Sequence, residues 1–214
     1  DTADFSAATM DGLVVNFLTG AASGGGLGSD TVSNVENVQG SGFNDTLTGN
    51  AGANLLSGGA GDDTLFASAG GDTLDGGANG ADGDTASFAT SGSAVTVRLG
   101  AANPQNVGGS IGLISLIGIE NLTGSAFNDT LAGNAGANVL NGGLGNDTAD
   151  YSALGAGVTV NLNSTGAQDT GAGGFDTLAG IENLTGTAFD DQLTGDGNDN
   201  ILAGGDSIDQ LRGN

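Results

Sequence analysis

Residues 40–75 read GSGFNDTLT, GNAGANLLS, GGAGDDTLF and ASAGGDTLD, four nine-residue units laid end to end. Each unit opens on small residues, carries Asp or Asn at its sixth place and a leucine at its eighth. The three residues around that leucine suit a short strand whose middle side chain points to one face. The six residues before it turn the chain, and glycines there supply positive φ at little steric cost. Two such units make one coil with two strands, and a unit this small buries its apolar face only by stacking on its neighbours.

The unit recurs along the chain. GGLGSDTVS stands at 25–33; GSAFNDTLA, GNAGANVLN and GGLGNDTAD fill 124–150; GAGGFDTLA stands at 171–179; GTAFDDQLT, GDGNDNILA and GGDSIDQLR fill 186–212. The expected inward stripe is Val32, Leu47, Leu56, Leu65, Leu74, Leu131, Leu140, Leu178, Leu193, Leu202 and Leu211. A longer period lies over the short one. DTADFS (1–6), DTASFA (84–89) and DTADYS (147–152) open three modules, 1–83, 84–146 and 147–214, with extra turns at about 64–83 in the first. LVVNF (13–17), VTVRL (95–99) and VTVNL (158–162) alternate as strands do. Whether they continue the stack or leave it stays open at this point. The modules are expected to form one continuous all-β stack with no helix.

Composition narrows the function classes. There are 25 acidic residues against two arginines, with no Lys or His, and the net charge is −23. A nucleic-acid partner needs phosphate-neutralising cations that this chain lacks, and an anionic membrane surface is disfavoured for the same reason. No apolar run suits membrane insertion. There is no Cys, hence no disulfide or thiolate site. Aromatics are 4% of the chain, which predicts a narrow core repeated many times.

The register of the acids points to a cation. Successive turns are expected to alternate sides, which puts Asp30, Asp45, Asp63 and then Asp82 or Asp84 in one column, and Glu36, Asn54 and Asp72 in the other. In the second module the columns read Ile114, Asp129, Asp147 and Glu120, Asn138. In the third they read Asp176, Asp191, Asp209 and Glu182, Asn200. Carboxylates stacked about 5 Å apart repel unless a cation lies between them. The competing reading is local turn capping by Asx side chains. Glu36, Glu120 and Glu182 share one register in a shortened turn, where a longer side chain reaches farther. Phe43, Phe127 and Phe189 replace the fourth-place residue of the turn and read as core filling.

These residues resemble the RTX, or hemolysin-type, calcium-binding repeats, whose pattern GGxGxDxUx the units at 25–33 and 58–66 match in full. The resemblance implies a right-handed parallel β-roll, or β-solenoid, with Ca2+ between stacked glycine-rich turns. It implies ligation by sixth-place Asp side chains and by backbone carbonyls of the glycine loops, which are carried over to Gly25, Gly58 and Gly142. A hard cation wanting six or more oxygens suits that donor set. About six to eight sites would offset most of the charge and tie folding to metal.

The leading expectation is a calcium-binding structural region of a secreted or cell-surface bacterial-type protein, such as a surface layer, filament or adhesin. It would fold on meeting calcium outside the cell, and the chain would be a fragment of something longer. End-to-end or calcium-bridged self-association is a further possibility of such a stack. The alternative is a calcium-dependent accessory or secretion domain of an extracellular enzyme such as a protease, lipase or epimerase. Catalysis in this chain itself is not expected. It has no His, no Lys and no zinc ligand set, and its paired carboxylates recur in every turn, which suits structure better than glycoside hydrolysis.

Overall fold

The computed structural model describes residues 1–213, and all regular structure among them is β. No helix there is long and apolar enough to cross a membrane. The chain forms two compact units. The first contains Asp1–Gly92 with Ala102–Asn121, and the second contains Ser93–Ala101 with the chain from Leu122 onward.

The first unit holds two parallel stacks. In one, Thr2–Asp4, Asn37–Gln39, Leu55–Gly61, Thr73–Asn79 and Leu113–Ile117 pair in that order. In the other, Leu13–Asn16, Thr46–Thr48, Thr64–Phe66 and Thr85–Ser87 pair likewise. The eighth-place leucines lie directly over one another: Val38 on Leu56 on Leu74, and Val15 on Leu47 on Leu65 on Ala86. All seven are buried. One side chain per strand, repeated coil after coil, therefore makes the core.

The second unit repeats the plan. Thr96–Arg98, Thr130–Ala132, Thr148–Asp150, Asn183–Thr185 and Leu202–Ala203 pair in parallel. Leu122 pairs with Leu140 and Leu140 with Leu178, while Thr159–Asn161, Gln192–Thr194 and Gln210–Arg212 form a third parallel set. Leu131, Leu140, Leu184 and Leu193 are fully buried.

The alternating segments stay in the stack. Val15, Val97 and Val160 pair in parallel with Leu47, Leu131 and Leu193. The extra stretch at 64–83 adds one further coil, whose return to Asp84 takes 21 residues where the neighbouring coil takes 18. Asp62 holds that longer loop. Its carboxylate accepts the N–H groups of Ala81, Asp82 and Gly83 at 3.2, 2.9 and 2.7 Å, and these bonds keep it below the usual carboxylate range against the opposing effect of burial.

Three expectations about packing are corrected. Residues 25–33 match the repeat in full but form no turn of the stack. Ala21–Gly24 and Ser29–Thr31 make an antiparallel hairpin laid on the edge of Leu13–Asn16. Val32 is consequently half-exposed, and Val38 takes the inward place. Leu202 and Leu211, in the last coil, are half-exposed and exposed. The three Phe residues do not fill the core. Phe127 and Phe189 are 44% and 46% exposed and Phe43 is half-buried, because the fourth place of the turn lies on its outer rim.

Candidate metal centre

The sixth-place carboxylates form ladders along each stack. Asp45 Oδ1 accepts the N–H of Leu13, Asp63 Oδ1 that of Asp45, and Asp84 Oδ1 that of Asp63, each at 2.7 Å. Glu120 Oε2 closes the series by accepting the N–H of Asp84 at 3.0 Å. In the second unit Asp129 Oδ1 takes the N–H of Val95, Asp147 Oδ1 that of Asp129, and Glu182 Oε2 that of Asp147. Asp191 takes Val158 and Asp209 takes Asp191. One oxygen of each carboxylate thus ties its coil to the backbone of the coil before. That is the capping role of an Asx side chain, made between coils rather than within a turn.

The columns differ from those expected in three places, at Asp30, Ile114 and Asp176, and the open choice between Asp82 and Asp84 falls to Asp84. Asp30 lies exposed on the hairpin and joins no ladder. Asp84, not Asp82, holds the sixth place after the long loop; Asp82 is exposed and donates its N–H to Asp62. Ile114 follows Asp72 in the first unit, since Ser115 N–H bonds the Asp72 carbonyl just as Thr73 N–H bonds that of Asn54. Asp176 does not stack with Asp191 but caps the N–H of Asn138 at 3.1 Å. Glu36 accepts the amino group of Asp1, and its column with Asn54 and Asp72 holds, as does that of Glu182 and Asn200.

The second carboxylate oxygen is where the turns diverge. Asp63 Oδ2, Asp84 Oδ2 and Asp147 Oδ2 are buried without any hydrogen-bond partner. A buried unpartnered carboxylate oxygen is costly. Burial, followed by the charges of Asp45, Asp84 and Asp62, pushes the Asp63 carboxyl up to about 7. Burial, then Asp129 and Glu182, takes Asp147 to about 6. Asp84 is raised by burial and by Glu120, Asp62 and Asp75.

Each orphan oxygen faces a backbone carbonyl of the next coil across a glycine. A methyl placed on Gly58 would sit 2.0 Å from Asp63 Oδ2 and 2.7 Å from the Gly76 oxygen. One on Gly76 would meet Asp84 Oδ2 at 2.4 Å and the Gly118 oxygen at 2.2 Å. One on Gly142 would meet Asp147 Oδ2 at 2.5 Å and the Gly180 oxygen at 2.0 Å. Carboxylate and carbonyl oxygens with no donor between them are a donor set for a hard cation. No three acidic side chains cluster as a metal site among the described residues, so carbonyls would have to complete a calcium shell.

The expected carbonyl ligands are therefore partly displaced. The Gly58 and Gly142 oxygens face Asp45 and Asp129 instead. Gly25 packs in the hairpin against Ala8 and Leu13. Gly76, Gly118 and Gly180 were missed, although each stands one coil beyond the cradle it faces.

The sequence model for the RTX calcium-binding nonapeptide repeat matches residues 39–74, 116–149 and 176–211, in four copies. Comparison with curated proteins found no match. The matched segments include two of the three orphan-oxygen residues, Asp63 and Asp147, while Asp84 and the long loop before it lie outside them.

Proposed function

This chain belongs to the RTX calcium-binding nonapeptide repeat family, and from that membership we propose that it is a calcium-stabilised structural region of a secreted or cell-surface protein. In this reading the coils form a right-handed parallel β-roll with Ca2+ held between glycine turns. The observation that carries it is the set of three buried oxygens, on Asp63, Asp84 and Asp147, that face carbonyls and receive no hydrogen. Residues Gly76, Gly118 and Gly180 would supply carbonyl ligands to the same ions. When bound, the cation supplies positive charge at a point where stacked carboxylates otherwise repel.

Its role is mechanical rather than catalytic. A net charge of −23 opposes compaction, and metal bound only by the folded state adds its binding free energy to folding. Scarce calcium would leave the chain loosened, and abundant calcium would close it, which suits a protein that must cross a membrane before it folds. Surface-array, filament and adhesin roles follow the same logic. The test is a calcium titration followed by far-ultraviolet circular dichroism and by thermal melting. Calcium should deepen the β signal and raise the melting temperature. Identical spectra and melting curves in excess chelator and in millimolar calcium would refute the reading.

A further inference from the structure

The second residue of each turn sorts the turns into two kinds. In seven turns its N–H donates to the sixth-place side chain: Ser41 to Asp45, Asn50 to Asn54, Ser68 to Asp72, Ser125 to Asp129, Asn134 to Asn138, Thr187 to Asp191 and Asp196 to Asn200. Where that second residue is Ser or Thr its hydroxyl adds another bond. Ser41 Oγ reaches Asp45 at 2.9 Å, Ser68 Oγ reaches Asp72 at 2.7 Å, Ser125 Oγ reaches Asp129 at 2.8 Å and Thr187 Oγ1 reaches Asp191 at 3.0 Å. Both oxygens of these carboxylates are satisfied by protein.

The Asn turns reach the same end differently. Asn54 Nδ2 donates to the Glu36 carbonyl and Asn200 Nδ2 to the Glu182 carbonyl, both at 2.8 Å. An amide thus brings its own donor to the interface between coils, where a carboxylate has none. Asp176 is closed by the hydroxyls of Tyr151 and Thr170, each at 3.2 Å.

In the three turns that carry an orphan oxygen the second residue is Gly59, Gly77 or Gly143, at φ of 115°, 101° and 99°. Side chains rarely adopt that conformation, and none of the four Ser or Thr residues does. The two kinds therefore differ in backbone as well as in side chain. The cradle itself does not distinguish them, since Gly40 and Gly124 also face a carboxylate and a carbonyl oxygen. What differs is whether a donor already occupies it. The turn ending at Asp209 opens on Gly204 and Gly205, the latter at φ 104°, but Asp209 is half-exposed and its second oxygen is not one of the buried orphans.

We propose that a protein donor already in the cradle decides metal occupancy: turns whose second residue is Ser, Thr, Asn or Asp, and the Asp176 turn through Tyr151 and Thr170, are closed by protein hydrogen bonds, and tight calcium binding is confined to the turns ending in Asp63, Asp84 and Asp147. The inference rests on the calcium reading above and refines it. A chain with the motif in most of its turns holds three ions, and the closed turns are a scaffold that stands without metal.

Native mass spectrometry of the whole chain, with calorimetric titration of calcium, tests this. Wild type should bind three ions tightly. Asp63→Asn, Asp84→Asn and Asp147→Asn should each bind two. Asp45→Asn, Asp129→Asn and Asp191→Asn should still bind three. Should an Asn variant of a closed turn not fold, Ser125→Ala removes only the hydroxyl and should also retain three. Loss of an ion in Asp129→Asn or Ser125→Ala overturns the proposal, as does any other non-zero count for wild type. A wild-type count of zero instead overturns the calcium reading itself.

Discussion

Asp63 Oδ1 accepts the backbone N–H of Asp45 at 2.7 Å, 18 residues away, while the other oxygen of the same carboxylate is buried and accepts nothing. The residue is thus half structural cap and half open ligand. The two halves respond oppositely to removing the charge. In Asp63→Asn the amide oxygen keeps the bond to Asp45, and the amide nitrogen supplies a donor toward Gly76, as Asn54 does toward Glu36. Without calcium the variant should be more stable than wild type by about 1–3 kcal/mol. In saturating calcium the order should reverse. Urea unfolding in chelator and in calcium measures both, and a variant weaker than wild type in chelator contradicts the account of the orphan oxygen.

The metal-free chain should be more stable in mild acid than at neutral pH. The Asp63 and Asp147 carboxyls, ordinarily at 3.8, are held at about 7 and about 6 by burial and by neighbouring carboxylates. A folded pKa above the unfolded one means the folded state holds protons that the unfolded state has released. That stabilisation is complete below 3.8 and is lost as pH rises through 6 to 7. Asp4, Asp62 and Asp196 are held low by local hydrogen bonds and act in the opposite sense only in stronger acid. Calcium affinity should run the other way, rising with pH as the ligands lose their protons. Unfolding midpoints in chelator that stay level or rise between pH 5 and 8 contradict this.

Glu120 shows what the lengthened side chain does in the shortened turn. It reaches back to the N–H of Asp84, as Glu182 does to Asp147 and Glu36 does to the amino group of Asp1. This is the cap that Asp makes elsewhere. Glu120→Gln keeps an acceptor and removes a charge beside the Asp84 cradle. Fold stability should change by less than about 1 kcal/mol, and calcium affinity at that turn should fall several-fold, on the order of 1 kcal/mol of lost attraction. An affinity equal to that of wild type in calorimetry contradicts the electrostatic part.

The strand stack was legible because its two determinants are periodic. Leucine at the eighth place and Asp at the sixth return every 18 residues, which is the spacing of the Asp45 and Asp63 hydrogen bond. Residues 25–33 misled because the motif was read alone. Eighteen residues before and after Asp30 stand Gly12 and Thr48, so its turn has no acidic mate in either direction. The free edge of Leu13–Asn16 takes up that segment as a hairpin instead. The Phe residues misled for a different reason. A large apolar side chain at the fourth place looks like core, but the turn rim faces outward whatever occupies it. The sorting of turns was visible as well, in the Ser or Thr after the first glycine of GSGFND, GSAFND and GTAFDD. Its meaning needs the geometry, since only there does the hydroxyl meet the carboxylate.

Leu65 and Val32 have the same place in the repeat and opposite surroundings. Leu65 is fully buried between Leu47 and Ala86, and each coil contributes only one such side chain to its stack. A truncated leucine there has no second layer that could fill the space. Leu65→Ala should cost about 2–5 kcal/mol, toward the upper end of that range. Val32 is half-exposed at the end of the hairpin, and Val32→Ala should cost less than about 1 kcal/mol. Calcium counts should match wild type for Val32→Ala. Denaturant unfolding of both variants in calcium makes the comparison. Equal costs would mean that residues 25–33 pack as a turn of the stack and not as a hairpin on its edge.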